Sequence, residues 1–206
     1  HWSRQTPRPL KTGSPARPVP EDQMSKGGHE IKVKELKTVY SAELIAQRVK
    51  ELAAEIDAHY GQEPLVAVCV LKGGFVFFSD LVRALHNKNL ELDFVRLSSY
   101  GKSASSTKHV IFNKDVEIDI CDKHVLIVED IVDSGYSMRF LLGQFAARKA
   151  RSLRLAALVD KNERREIDVH VDFAGFKLTE GFIVGYGLDY AEHYRNLPGI
   201  FEIIPE

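Results

Sequence analysis

Two short apolar runs constrain the fold more than anything else in the chain: "LVAVCVL" at 65–71 and the "VLIV" centre of "HVLIVED" at 124–130. A strand that is apolar at every position has no face to offer water, so it needs cover on both sides, as parallel strands between helices have. Helical periods lie between such runs. In "SAELIAQRVKELAAEIDAHYG", Ile45, Val49, Leu52 and Ile56 recur at i, i+4, i+7 and i+11, with Ser41 placed as an N-cap and Gly61 as a stop. "GGFVFFSDLVRALHN" and residues 137–149 read as two more helices. "ELDFVRLSSY" reads as an alternating strand, "LRLAALVD" as another, and shorter strands are expected near "VHVDFAGF" and "FIVGYGLDY". Strand and helix taking turns predicts an α/β fold: a central parallel sheet flanked by helices on both faces. No internal repeat and no second core is visible, and 206 residues suffice for one domain with a full core.

The first 28 residues read differently. They carry Pro7, Pro9, Pro15, Pro18 and Pro20, show no apolar period and lack the hydrophobic centre of a signal peptide. This predicts a disordered tail over 1–28 and a folded domain over 29–206. The prolines also spoil the amphipathic helix of a transit peptide. Met24 offers an alternative start, which would make the residues before it an extension. Five cations against two acids make the tail basic and leave the rest net acidic, for a whole-chain charge of −1. General affinity for nucleic acid is therefore not expected. Two cysteines, Cys69 in an apolar run and Cys121 in a polar turn, are too few for a disulfide framework or zinc cluster, which points to a reducing, cytoplasmic setting. No stretch approaches the roughly 18 to 20 apolar residues of a membrane span.

In open parallel sheets, ligands bind outside the carboxyl ends of the strands. The search narrows to the loops after 71, 130 and 160, and the second is the most unusual. "VLIVEDIVDSGYS" ends a buried strand on Glu129 and Asp130, with Asp133 close behind. Adjacent carboxylates repel each other unless they meet hydroxyls, a metal or an arginine, and ribose hydroxyls and Mg²⁺ are natural partners. "DSGYS" then opens a helix, whose free N–H groups and dipole attract anions. Gly135 permits close approach, and Ser134 and Ser137 add donors. The alternative is that Asp133 or Ser134 only caps the helix. Other phosphate and catalytic motifs fail: "RLSSYGKS" has Arg96 where a nucleoside-triphosphate loop needs its first glycine, and G-x-G-x-x-G, H-E-x-x-H and G-x-S-x-G are absent.

With those residues in view, "VLIVEDIVDSGYS" resembles the phosphoribosyl-pyrophosphate signature of the type I phosphoribosyltransferases. The likeness runs over about residues 36–204 through "VLKGGFVFFSDLVRAL", "SSYGKSASSTKHV", "LVDKNERRE" and "FIVGYGLDYAEHYRNLP", a set and order similar to the short bacterial hypoxanthine-guanine branch. The resemblance implies a central sheet with a small hood and a mobile loop. It implies transfer of phosphoribosyl from phosphoribosyl pyrophosphate to hypoxanthine and guanine, releasing pyrophosphate with Mg²⁺, by a homodimer or homotetramer.

Residue by residue, the resemblance places Glu129 and Asp130 on the ribose hydroxyls, directly or through Mg²⁺, and wraps Ile131, Val132, Asp133, Ser134, Gly135, Tyr136 and Ser137 around the 5'-phosphate. Asp133 would act as general base at purine N7. Lys72 and Gly73 would form the pyrophosphate loop, with a Leu71–Lys72 peptide able to adopt the cis form. Arg195 would add a second cation, and Asp189 would join Glu129 and Asp130 on Mg²⁺ through water. Lys161 would donate to O6 of the base, Phe182 would stack on it, and the carbonyls of Ile183 and Asp189 would meet the 2-amino group of guanine. Ser99 and Tyr100 would belong to the mobile loop. A regulator of the same fold that binds nucleic acid, and a transferase preferring xanthine or adenine, remain alternatives at this stage.

Overall fold

The structure, a computed structural model, describes residues 32–100 and 109–206. In chain order it forms β1 (Val33–Tyr40), α1 (Ala42–Tyr60), β2 (Leu65–Leu71), α2 (Phe75–Ala84), β3 (Leu90–Tyr100), β4 (His109–Lys114), β5 (His124–Val132), α3 (Tyr136–Ala147), β6 (Ser152–Lys161), β7 (Phe173–Leu178), β8 (Ile183–Val184) and β9 (Ile200–Pro205). The tail expected over 1–28 lies outside the described residues, as does the centre of the expected mobile loop, 101–108.

The two apolar runs become adjacent central strands of a six-stranded sheet ordered β4-β3-β2-β5-β6-β7. Because side chains alternate across a strand, each run feeds two cores. Ala67, Cys69, Leu126 and Val128 face the layer holding α1 and α2, where Ile45, Leu52, Ile56, Phe77 and Leu81 are buried. Val66, Val68, Val125 and Ile127 face α3 through Met138, Leu141 and Phe145. Each such fully buried aliphatic or aromatic side chain contributes about 1.5–3 kcal/mol. The signals that bound α1 also hold: Leu44 N–H donates to Ser41 Oγ at 3.3 Å, and Gly61 closes the helix at φ 57°.

Four neighbouring strand pairs in this sheet are parallel, and β3 with β4 is antiparallel. The central parallel sheet read from the sequence is thus present, and its β4 edge is a return strand that needs no crossover helix. A second, three-stranded antiparallel sheet, β1-β9-β8, forms the small hood. The strand expected through "FIVGYGLDY" shrinks to Ile183–Val184, because Gly185, Tyr186 and Gly187 take φ of 98°, 50° and 102° and turn the chain. The expected strand at "VHVDFAGF" likewise starts only at Phe173.

Parallel register sends the loops after β2, β5 and β6 off the same edge. Cys69 pairs with Val128, and Val132 with Asp160, so Lys72, Asp133 and Asn162 all follow strands ending at one level. Among the described residues no helix is long and apolar enough to cross a membrane.

Candidate active site

Glu129 and Asp130 end the continuous buried run of β5, each 8% exposed. Asp130 N–H donates to Glu129 Oε1 at 3.1 Å, and Ile131 N–H to Asp130 Oδ1 at 2.9 Å. Among the described residues no ion pair includes either carboxylate, and Arg195, whose charge reaches Asp130, is paired with Asp189 instead. Burial, and then the charge of Asp130, hold the Glu129 carboxyl well above its ordinary 4.5. Burial raises Asp130 as well, opposed by its hydrogen bonds and weakly by Arg195. Asp93 shows that burial need not end this way. It is 4% exposed, and burial pushes its carboxyl up, yet N–H bonds from Ile118, Phe94 and Glu117 hold it below the usual value. Asp93 is a satisfied structural acid, whereas Glu129 and Asp130 are short of a partner.

That partner must bring positive charge or hydroxyl donors. Oxygen-only donors suit Mg²⁺, which characteristically uses one or two carboxylates and completes its shell with water and substrate phosphates. The donor set therefore fits the ion. Gly73 brings the β2 loop against the pair, since a Cβ there would run into the Asp130 carboxylate. Cys69, beneath them, is no nucleophile: burial and the two acids push its thiol up to about 12.

One turn on, Gly135 holds the N-cap position of α3 in the left-handed region at φ 89°, so neither Asp133 nor Ser134 is the capping residue. A helix N-terminus of this kind suits an anion. Ser134 O accepts from Glu166 N–H and Ile167 N–H at 3.1 and 3.0 Å, and a Cβ on Gly135 would collide with Ile167 O. The loop is thus seated on the segment after β6. Tyr136 OH donates to Glu166 Oε2 at 2.9 Å, and Ser137 is half-buried at the first turn. Val132 is 1% exposed, so its side chain belongs to the core and it borders the loop through its main chain. Asp133 Oδ1 is shielded from solvent without a hydrogen-bond partner among the described residues, an open acceptor beside the loop.

The cations assemble opposite. Leu71–Lys72 is a cis peptide. Lys72 Nζ lies 2.9 Å from Glu192 Oε2, and Arg195 NH2 lies 2.8 Å from Asp189 Oδ1 and 3.4 Å from Glu192 Oε2. Arg195 NH1 donates to Gly187 O at 2.8 Å, and a Cβ on Gly187 would collide with Gly73 O, so the loop of Arg195 packs directly on that of Lys72. The bond from Lys72, chiefly, holds the Glu192 carboxyl below its usual range. Asp189 has both oxygens engaged, the second accepting Glu192 N–H at 2.9 Å, so in this structure it is paired inside the protein.

The residues expected at the base end lie at the end of β6 and around β8. Lys161 ends β6 only 5% exposed, with Nζ 2.8 Å from Glu163 Oε2. Phe182 is 42% exposed and meets Tyr190 edge-on at 5.6 Å, so it is not a core residue. Ile183 has a buried side chain and pairs with Glu202 in the hood. Ser99 and Tyr100 sit at the end of β3 opposite Val110 and His109, and their side chains lie outside the described residues. Glu163, Arg165 and Glu192 were missed by sequence reasoning, because "KNERRE" and "DYAEHYR" look like ordinary solvated charge. A cleft of about 600 Å³ between α1 and α2 shares no residue with this site.

Comparison with known proteins agrees with this geometry. Residues 35–191 match the phosphoribosyl transferase domain family. The hypoxanthine-guanine phosphoribosyltransferase of Aquifex aeolicus is 42% identical over 175 residues, covering 84% of this chain and 98% of the relative, and that of Bacillus subtilis is 43% identical over 169 residues, covering 82% and 93%. A crystal structure of a hypoxanthine-guanine phosphoribosyltransferase from Bacillus anthracis superimposes with a TM-score of 0.77 at 41% identity, covering 84% of this chain and 99% of that one. The chain belongs to the phosphoribosyltransferase family and, within it, to the hypoxanthine-guanine phosphoribosyltransferases, transferases of purine salvage.

Proposed function

We propose that this chain moves the 5-phosphoribosyl group from phosphoribosyl pyrophosphate to hypoxanthine and guanine, giving inosine or guanosine monophosphate and pyrophosphate. The observation that carries the reading is the buried Glu129–Asp130 pair, in no ion pair among the described residues, one turn before a helix N-terminus that opens on the left-handed Gly135. Cleavage at the anomeric carbon builds positive charge on the ribose, and carboxylates already held in a low-dielectric site stabilise it. The main-chain N–H groups of the 131–137 loop hold the 5'-phosphate. Lys72 and Arg195 exchange Glu192 for the departing pyrophosphate. Asp133, through its open Oδ1, takes the proton from purine N7.

Glu129 and Asp130 would hold Mg²⁺, with Asp189 reaching it through water, and the ion supplies Lewis-acid stabilisation of the leaving group. Lys161 can only donate, so it pairs with O6 of a 6-oxopurine and leaves adenine unmatched, a discrimination of roughly 10⁴ in sites built this way. Phe182 stacks on the ring, and the carbonyls of Ile183 and Asp189 accept from the 2-amino group of guanine. Ser99 and Tyr100 belong to a loop that closes over the site and excludes water.

Steady-state rates with hypoxanthine, guanine, xanthine and adenine, with and without Mg²⁺, test the reading. Nucleotide formation from the first two bases and little from adenine is expected. Equal use of adenine, or full rates without a divalent cation, would overturn it.

The proposal extends to a homodimer or homotetramer in the cytoplasm. Leu92 and Phe94 on one face of β3, and Phe75 at the start of α2, are 44%, 36% and 46% exposed, an apolar surface suited to a second copy. Sedimentation velocity giving a monomer at micromolar concentration would remove this part.

A further inference from the structure

The ladder between β5 and β6 ends at the pair Val132–Asp160. Beyond it the two chains part, one into the phosphate loop with Asp133, the other through Lys161 into the base pocket. Their carbonyls lose strand partners where the site needs the most exact spacing. One side chain from the next turn takes them up. Arg165 Nε donates to Asp133 O at 2.7 Å, and its NH2 group to Val132 O at 2.9 Å, Lys161 O at 3.1 Å and Asp160 Oδ1 at 2.5 Å. Its NH1 group reaches Val169 O at 3.1 Å, which anchors the guanidinium on the far side of its own turn. The side chains of Arg165 and Asp160 are each 15% exposed, so this is an interior fork and not a surface charge.

Resting on the site assignments above, we propose that Arg165 is a positioning residue that sets the separation between the Asp133 loop and Lys161, and through it base selectivity. A planar fork with five N–H donors can span two diverging main chains, whereas an ammonium is a point donor on a flexible stem and cannot hold both at once. The surroundings make the fork a lever on the site. The turn that carries Arg165 also donates Glu166 N–H and Ile167 N–H to Ser134 O, and the left-handed Gly135 lies against Ile167 O. If the fork is removed, the phosphate loop and the strand carrying Lys161 lose their common anchor. The base is then no longer held at one distance from the ribose. A misplacement of about 1 Å is enough to cost on the order of 10² in rate, and loss of O6 registry erodes a discrimination of roughly 10⁴.

The test compares Arg165→Lys with wild type and with Lys161→Ala. Readouts are kcat and KM for each substrate, the ratio of kcat/KM for hypoxanthine over adenine, and the melting temperature. Arg165→Lys should lower kcat/KM for hypoxanthine by about 10- to 100-fold and lower the hypoxanthine-to-adenine ratio at least tenfold. A purely structural role would lower the active fraction for both bases alike and leave the ratio unchanged, which would overturn the proposal. Lys161→Ala separates the two failures. If it leaves the ratio intact, the site reading itself falls; if it abolishes discrimination while Arg165→Lys does not, only the positioning role falls. Should Arg165→Lys fail to fold, Arg165→Ala is assayed with added ethylguanidinium against an equal concentration of sodium chloride. Recovery of both rate and selectivity with the guanidinium supports the proposal, and recovery of rate without selectivity sinks it.

Discussion

Replacing Glu129 with glutamine should make the ligand-free protein more stable and a poorer enzyme. Glu129 is 8% exposed, faces Asp130 and has no cationic partner among the described residues. The effective penalty for burying an ion is several kcal/mol. The N–H bond from Asp130 returns about 1.5–3 kcal/mol as a charge-assisted contact. The uncompensated remainder is about 1–3 kcal/mol, and at roughly 2–4 °C per kcal/mol for a domain of this size the melting temperature should rise by roughly 2–12 °C. The effect has a pH signature. Burial and the neighbouring charge raise Glu129 above 4.5, so the folded chain binds more protons than the unfolded one. Wild-type stability is then highest below that pH and is lost as pH rises through the folded value. The advantage of glutamine should be small below pH 4.5 and grow toward neutrality, while turnover falls by on the order of 10². Calorimetric scans from pH 4 to 8 without divalent cations measure this. A lower melting temperature at pH 7.5, or the same shift at pH 4 and 7.5, would refute the claim that the pair is strained for want of a ligand.

Asp133→Ala should reduce kcat with a smaller effect on the KM for phosphoribosyl pyrophosphate, and pre-steady-state binding that weakens as much as turnover would remove Asp133 from the base role. Glu192→Gln frees Lys72 and Arg195 from an ion pair whose carboxylate side chain is 65% exposed; exposed pairs of this kind are weak, so calorimetric pyrophosphate affinity should tighten by no more than about fivefold, and weaker binding would show that Glu192 does not compete for these cations. Gly73→Ala drives a Cβ into the Asp130 carboxylate, and should impair activity with a smaller loss of thermal stability than a core truncation of about 2–5 kcal/mol; wild-type kinetics would mean that the two loops are not packed as described.

The legible parts of this molecule are those whose physics is local. Val66 to Cys69 and Val125 to Val128 are apolar at every position and are buried on both faces. The period of Ile45, Val49, Leu52 and Ile56 became the buried stripe of α1 between the cap and stop that the sequence marks. Glu129 and Asp130 stood out because two adjacent acids at the end of an apolar run contradict what precedes them. The hood was legible only through family resemblance, since β1 has mostly exposed or half-buried residues and pairs with β9 some 160 positions away. The apolar Leu92 and Phe94, one face of an alternating strand, are exposed while Asp93 is buried, the opposite of what alternation alone suggests.

By itself the sequence determined the sheet-and-helix order, the central strands and the loop that carries the acids, because hydrophobic period and turn chemistry act over a few residues. Only the tertiary structure decided that Glu129 and Asp130 form no ion pair among the described residues, that Glu192 occupies Lys72 and Arg195, and that Arg165 ties two strand ends together. Those outcomes depend on which charges converge after the chain has closed over long separations. A lysine or arginine in a polar turn has the same local signature whether it ends in water, in an ion pair or in the interior as a fork between two carbonyls.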